Sequence, residues 1–343
     1  MSVKNYYQDK IILVTGGTEL LGTHLVRKLL QYNPASIRIL DNNETGLFFL
    51  EHDLNSDRLR ILIGDVRDKD RLVMALEGVD IVFHLFALNH EELCEDNPFD
   101  AVKTNVIGTQ NVLEAAFYQG VNKVMVINTE NVLNPITVVG STKMLSERLT
   151  ISANLYRGTK QSVFSSIRIG NIINSMFYSV EQQLSRRSQI RINNYHSACC
   201  FVDLVQAVEL IIQAGEISQG REIFIPKVPL VRVSDVISII LERIAPKYGY
   251  SPSEIKINDS KNKPENFSNE EIISDLEFDI SYNNDVMYVI PPQKLPFEES
   301  IGYQIPPSFR KTNKPPIEKK HFGYADDAYI NTLIGSVETL SNR

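Results

Sequence analysis

Thr15-Gly16-Gly17-Thr18-Glu19-Leu20-Leu21-Gly22 holds the clearest chemistry in this chain of 343 residues. Three glycines follow an apolar run and open a segment of helical period. That order places free N–H groups and the positive end of a helix dipole where a diphosphate can rest. Asp41 follows about twenty positions later, where a carboxylate accepts a hydrogen bond from a ribose 2′-hydroxyl and repels a 2′-phosphate. NAD is therefore favoured over NADP. Gly16, Thr18, Gly22 and Asp41 become candidate coenzyme contacts, with Asp65 and Val66 expected to flank the adenine. One residue objects. Glu19 stands where the fingerprint prefers glycine, and if the turn needs a positive φ there, it adds roughly 1 to 2 kcal/mol of strain.

Such a turn works only on a scaffold of strands and helices. Short apolar runs alternate with longer helical segments, as in a parallel sheet covered by helices. Strands are expected at Lys10 to Val14, Ile37 to Asp41, Leu59 to Gly64, Ile81 to Leu85, Lys123 to Asn128 and Ser162 to Ile169. One helix is expected from Asn97 to Gly120, capped by Asn97, started by Pro98 and stopped by Gly120. Its apolar stripe is Val102, Val106, Leu113 and Phe117. After Gly170 the pattern turns irregular, with a helix near Asp203 to Ala214, a strand at Glu222 to Pro226 and a helix near Ser234 to Ile244. The fold class is thus α/β, a doubly wound parallel sheet. A dinucleotide domain spans 1–175, with 222–226 returning to it; a smaller substrate region spans 176–290; an arm and tail span 291–343. Seven of the fifteen prolines fall between Pro291 and Pro316, beside Arg310, Lys311, Lys314, Lys319 and Lys320. This basic segment is expected either to cross a neighbouring subunit or to remain a solvated tail.

Composition narrows the partners. With 43% hydrophobic and 22% charged residues and a net charge of −7, the chain can bury a core and offers no nucleic-acid surface. No apolar run reaches the roughly 18 to 20 residues of a membrane span, and Met1 to Asp9 is polar and aromatic, so a cytoplasmic protein is expected. Cys94, Cys199 and Cys200 are expected to be reduced and mostly buried. No metal site is expected, since Glu91-Glu92 beside His90 have no further ligand at useful spacing. His84 ends a strand and is expected to be a satisfied core histidine.

Longer runs carry a resemblance. Val82-Phe83-His84-Leu85-Phe86-Ala87-Leu88-Asn89-His90, Cys94-Glu95-Asp96-Asn97-Pro98 and Ala101-Val102-Lys103-Thr104-Asn105-Val106-Ile107-Gly108-Thr109-Gln110-Asn111-Val112 resemble the extended short-chain dehydrogenase/reductases, whose sheet is a Rossmann fold. Within them they are most similar to the UDP-N-acetylglucosamine 4,6-dehydratases of polysaccharide biosynthesis. Asn134-Pro135-Ile136, Gly140-Ser141-Thr142-Lys143, Arg168-Ile169-Gly170-Asn171, Glu222-Ile223-Phe224-Ile225-Pro226-Lys227 and Tyr324-Ala325-Asp326-Asp327 extend the match. The resemblance implies a nicotinamide coenzyme that removes hydride from C4 of the sugar, loss of water across C5 and C6, and return of the hydride to C6. It adds Leu21, Asn42, Leu85, Ala87, Asn105 and Lys143 to the coenzyme contacts. It places His90, Arg168 and Asn171 on the nucleotide sugar. Lys143 matches the lysine that holds the nicotinamide ribose, and Glu130, helped by Thr129, is the candidate acid. Helices at Asp100 to Tyr118 and Ser141 to Leu155 resemble those that pair subunits, so a homo-oligomer, or a hetero-oligomer with an active relative, is implied.

The chemical positions depart from that pattern. Val139 takes the place of the tyrosine four residues before Lys143, and Asn131 that of a lysine beside Glu130; an amide has no proton to trade near neutral pH. Asn89 stands for a lysine and Phe86 for an alanine. Cys199 and Met176 stand for arginines, and Pro264-Glu265-Asn266 keeps part of a glycine-glutamate-lysine motif. Two functions stay open: an NAD-dependent nucleotide-sugar dehydratase or epimerase-like enzyme, and a catalytically silent paralogue that binds or scaffolds within an oligomer.

Overall fold

Runs rich in isoleucine, leucine and valine, too short for helices and largely buried, form the central strands. They are β1 (Ile11–Thr15), β2 (Ser36–Asp41), β3 (Leu59–Ile63), β4 (Ile81–His84), β5 (Lys123–Thr129) and β6 (Val163–Ile169). This computed structural model describes residues 3–133, 135–156, 161–186, 188–260, 272–293, 302–313 and 325–341. The accompanying helices are α1 (Val3–Tyr7), α2 (Leu20–Leu30), α3 (Glu44–Leu54), α4 (Lys69–Ala75), α5 (Glu91–Asp96), α6 (Pro98–Ala101), α7 (Thr109–Gln119) and α8 (Val138–Ala153). Then come β7 (Asn171–Ile172), α9 (Ile173–Leu184), β8 (Gln189–Asn193), β9 (Ala198–Val202), α10 (Leu204–Ile217), β10 (Ile223–Pro226), β11 (Leu230–Arg232) and α11 (Val233–Ile244). The chain continues through β12 (Lys256–Ser260), α12 (Asp275–Ile280), β13 (Tyr282–Asn283), β14 (Met287–Ile290), β15 (Arg310–Lys311) and α13 (Asp327–Ser341).

The main sheet has the order β15-β13-β14-β10-β6-β5-β4-β1-β2-β3. From β10 to β3 all neighbours are parallel; β14, β13 and β15 extend the edge in antiparallel fashion. Strand order reverses at β1, between β4 and β2, and the crevice beyond the carboxyl ends at such a switch is where this class of sheet takes its ligands. The expected doubly wound parallel sheet is the observed one. On one face α2 packs Leu25, Val26 and Leu29 beside Ile211 of α10. On the other, Leu72, Leu76, Val112, Leu113 and Ala116 close the second layer.

A separate core gathers α9, α11 and β9 through Phe177, Val236, Ile240 and Phe201. Ile330, Leu333, Ile334 and Val337 of α13 are buried in it, so part of the segment expected as arm and tail is core. Arg310 and Lys311 of the basic arm pair as β15 with β13; Lys314, Pro315, Pro316, Lys319 and Lys320 lie outside the described residues. Cys94, Cys199 and Cys200 are buried and unbridged.

The single helix expected over Asn97 to Gly120 is divided. After α6 the chain makes a π-helical stretch, Val102–Gly108, before α7 ends at Gly120 in the left-handed region, φ 71°. The wider turn rotates the two halves against each other, so Val102 is 42% exposed whereas Leu113 is buried. Asn97 does not cap: its Nδ2 donates to the Leu93 carbonyl at 2.8 Å, leaving Pro98 to start α6.

Candidate functional site

Where β1 ends, Gly16 turns with φ +74°, and a Cβ there would stand 2.6 Å from the Phe86 nitrogen. The turn therefore passes against the backbone that follows β4, which glycine alone permits. A Cβ on Gly22 would strike the Gly16 carbonyl, so α2 lies tight on the turn. Thr18 fastens the turn to β2: its N–H and Oγ1 donate to Asp41 Oδ2 at 3.1 and 2.8 Å. Asp41 Oδ1 accepts from the Asn43 N–H at 3.0 Å, and the carboxylate is 4% exposed. Glu19 sits at φ −75°, exposed, as the N-cap of α2 without a side-chain cap bond, so the conditional strain at this position is absent. No described residue accepts from the N–H groups of Leu20, Leu21 and Gly22, which leaves the first turn of α2 open to an anion. The residues present thus fit a diphosphate.

Around this turn, Asn42 Nδ2 donates to Asp65 Oδ2 at 3.1 Å and Arg67 forms an ion pair with Asp65 at 2.7 Å. Burial raises the Asp65 carboxyl, but the hydrogen bonds from Arg67 and Asn42 outweigh it and hold the group below its ordinary value. Val66 is buried in the core, and Leu21, Leu85 and Ala87 are half-buried. Phe86 is half-buried too, its ring packed against the core beneath β4.

A buried polar line runs from the turn to α8. Thr15 Oγ1 meets His84 Nδ1 at 2.7 Å; His84 Nε2 meets Thr109 Oγ1 at 3.1 Å; Thr109 Oγ1 meets Ser146 Oγ at 3.2 Å and donates to the Asn105 carbonyl at 2.7 Å. Burial, and then the charge of Lys143, pull His84 down to about 3, so its ring is neutral at any physiological pH. His84 is the satisfied core histidine its position implied. Asn105 accepts from the Leu88 N–H at 2.8 Å and donates to the Leu88 carbonyl at 2.9 Å and to Thr142 Oγ1 at 3.0 Å. Its amide is spent on fixing the loop after β4. Lys143, 5% exposed, is pulled down to about 8 by burial, against the opposing influence of Cys94. Val139 packs with Cys94 and Ala101 one helical turn away.

At the carboxyl end of β5, Glu130 is buried and accepts from Asn171 Nδ2 at 2.8 Å. Thr129 Oγ1 beside it is buried with no partner among the described residues. The short turn that follows packs on α8. The structure thus brings Glu130, Thr129 and Asn171 together; His90 is exposed at the N-cap of α5.

Arg168, expected on the substrate, is elsewhere. Its five N–H donors go to Glu147 Oε1 and Oε2, to Glu277 Oε1 and Oε2 and to the Ile272 carbonyl, at 2.7 to 3.1 Å. At 2% exposure it has no donor left for a ligand. Glu147, Glu277, Thr109 and Ser146 were assigned no role by sequence reasoning, and nothing local marks the two carboxylates as partners of Arg168. Cys199 is buried and Met176 half-buried at the second core. Asn134, Tyr324 and Pro264-Glu265-Asn266 lie outside the described residues. Among those described, no three His, Cys, Asp or Glu are placed to share an ion, and no helix is long and apolar enough to cross a membrane.

Comparison with known proteins places this arrangement. The chain is 31% identical over 328 residues to a UDP-N-acetylglucosamine 4,6-dehydratase (inverting) of Campylobacter jejuni, covering 94% of this chain and 93% of that one. It is 46% identical to an uncharacterized membrane protein of Methanocaldococcus jannaschii, over 84% and 88% of the two chains. Among solved structures it is similar to Pen from Bacillus thuringiensis, with 33% identity, a TM-score of 0.78 and coverage of 84% and 89%. A dTDP-glucose 4,6-dehydratase of Streptomyces venezuelae, solved with NAD, shares the fold at 22% identity and a TM-score of 0.63, over 74% and 85%. Residues 12–292 match the profile of the polysaccharide biosynthesis protein family, and the chain belongs to that family.

Proposed function

We propose that this chain binds NAD across the β1 switch point and acts on a nucleotide sugar, UDP-N-acetylglucosamine or a close analogue. The observation that carries the proposal is the hydrogen-bonded line Thr15–His84–Thr109–Ser146, which ties the phosphate turn to the helix bearing Lys143. A turn alone would bind any anion; a turn coupled to a buried lysine suits a ligand with a diphosphate at one end and a polar ribose at the other. The first-turn N–H groups of α2 would take the diphosphate, Asp41 a ribose hydroxyl and Lys143 the second ribose. The loop after Asp41 reads Asn42-Asn43-Glu44, with no cation for a 2′-phosphate, which favours NAD over NADP. When bound, the coenzyme supplies a hydride acceptor. Glu130 would hold a proton for a leaving hydroxyl, oriented by Asn171, with the Thr129 hydroxyl beside it. Asn171 and exposed His90 would contact the sugar.

Val139 favours a second function. Buried against Cys94 and Ala101, it puts an aliphatic side chain one helical turn before Lys143, as a silent binding subunit of an oligomer would tolerate. Thermal melts with NAD, NADP and UDP-N-acetylglucosamine, followed by a keto-sugar assay, separate the cases. NAD at a hundredfold excess over its Kd is expected to stabilise the chain by about 2.7 kcal/mol, and NADP by much less. Turnover makes it an enzyme, stabilisation without turnover makes it a binding subunit, and no stabilisation by any of the three overturns the proposal.

A further inference from the structure

At the sheet edge remote from the glycine turn, Lys227, Arg310 and Lys311 converge on a cleft of about 400 Å³. Lys227 follows β10, whereas the other two form β15; they meet because β15 pairs with β13. Asn283 joins the two segments. Its Oδ1 accepts from Lys227 Nζ at 3.1 Å and its Nδ2 donates to Thr312 Oγ1 at 2.9 Å. Thr312 Oγ1 also lies 2.8 Å from Ser281 Oγ, whose own proton is held by the Phe278 carbonyl at 2.9 Å, so Thr312 donates to Ser281 and is fixed in place. Lys227 gives a second hydrogen bond to the Asn284 carbonyl at 3.4 Å, and one N–H remains. Each ammonium sits on a ring: Lys227 over Tyr288 at 5.7 Å and Lys311 over Tyr282 at 5.0 Å.

Among the described residues no carboxylate lines this cleft, and none forms an ion pair with Lys227, Arg310 or Lys311. In a chain of net charge −7, Lys227 and Arg310 share the face of Asn283 in a cleft backed by buried Tyr288 and Phe278, and Lys311 bounds it from the other face, its Nζ donating to the Asp279 carbonyl at 2.7 Å. A one-sign cleft with a low-dielectric wall concentrates counter-ions. We propose that it is a second anion site, built for a phosphate or diphosphate group. The buried rings are not free to stack a base, so the site reads the oxyanion itself. Five strand spacings, roughly 24 Å, separate β14 from β1, so the site is distinct from the glycine turn. An anion there would clasp the 310–312 segment to the body of the sheet.

Titration calorimetry of the full chain with sodium pyrophosphate, at constant ionic strength and with NAD present or absent, tests this. Saturable binding is expected in both conditions, with UDP competing at comparable affinity. Lys227→Gln combined with Arg310→Gln and Lys311→Gln is expected to weaken it by at least about tenfold, while far-UV circular dichroism and the NAD-induced melting shift stay unchanged. Lys311→Arg should retain it. No heat, equal affinity in the triple variant with NAD present, loss of all pyrophosphate binding when NAD is added, or binding of UDP without pyrophosphate would each overturn the site. The outcome is independent of whether NAD binds, because the triple variant decides it in either case.

Discussion

At pH 7 Lys143 is charged in a buried position, and no described residue accepts a hydrogen bond from it. Its proton leaves near pH 8 in the folded chain, against 10.5 for an ordinary lysine. Below pH 8 both states are protonated and the folded chain bears the full cost of burial. Between 8 and 10.5 only the unfolded chain stays charged, so stability rises with pH across that window. Lys143→Met is therefore expected to stabilise the coenzyme-free chain at pH 7 by on the order of 1 to 3 kcal/mol, a gain that fades above pH 8, and to abolish stabilisation by NAD. Urea unfolding at pH 7 and pH 10 measures it; an equal gain at both values would mean that the charge is already satisfied. At this scale Gly16 was legible in the sequence, because a required positive φ leaves a residue type behind. Arg168 was not, since its partners Glu147 and Glu277 lie 21 and 109 residues away and nothing local announces them.

Among elements, the π-helical stretch governs how the loop after β4 is held, because Asn105 projects from it onto Leu88. Gly108 closes the stretch against the core, and a Cβ there would stand 2.5 Å from Val66 Cγ2. Alanine gains about 1 kcal/mol in helix propensity, whereas crowding a fully buried valine costs about 1 to 3 kcal/mol. Gly108→Ala is thus expected to lower stability by about 0.5 to 2 kcal/mol in urea unfolding, and a net gain would show that Val66 turns aside freely. Strands β1 to β6 were legible to within about one residue, since short apolar runs between turn signals define them. The broken helix was not. One extra residue per turn changes which side chains face inward without changing the apolar period enough to see.

For the whole molecule, the Arg168 cluster joins β6, α8 and α12. Burial raises Glu277, but Arg168 outweighs it and holds the carboxyl below its ordinary value, so its contribution is present above about pH 4.5 and lost as pH falls. Arg168→Met would leave buried Glu147 and half-buried Glu277 without their ion-pair partner, at a cost of about 3 to 5 kcal/mol at pH 7. The deficit is expected to shrink on acidification towards pH 5, because the stranded carboxyls then take up protons on folding; a constant deficit would exclude their ionisation as the cause. The sheet's winding was readable from alternating periods, and a separate region was expected over 176–290, but α13 as part of its core was not, because that helix lies far along the chain from α9, β9 and α11. That separation governs timing during synthesis. Phe177, Phe201 and Val236 are translated long before Val337, so a growing chain carries a finished sheet beside an open greasy trough until α13 clears the ribosome. The second core therefore closes only after α13 has been made, later than the sheet it sits beside.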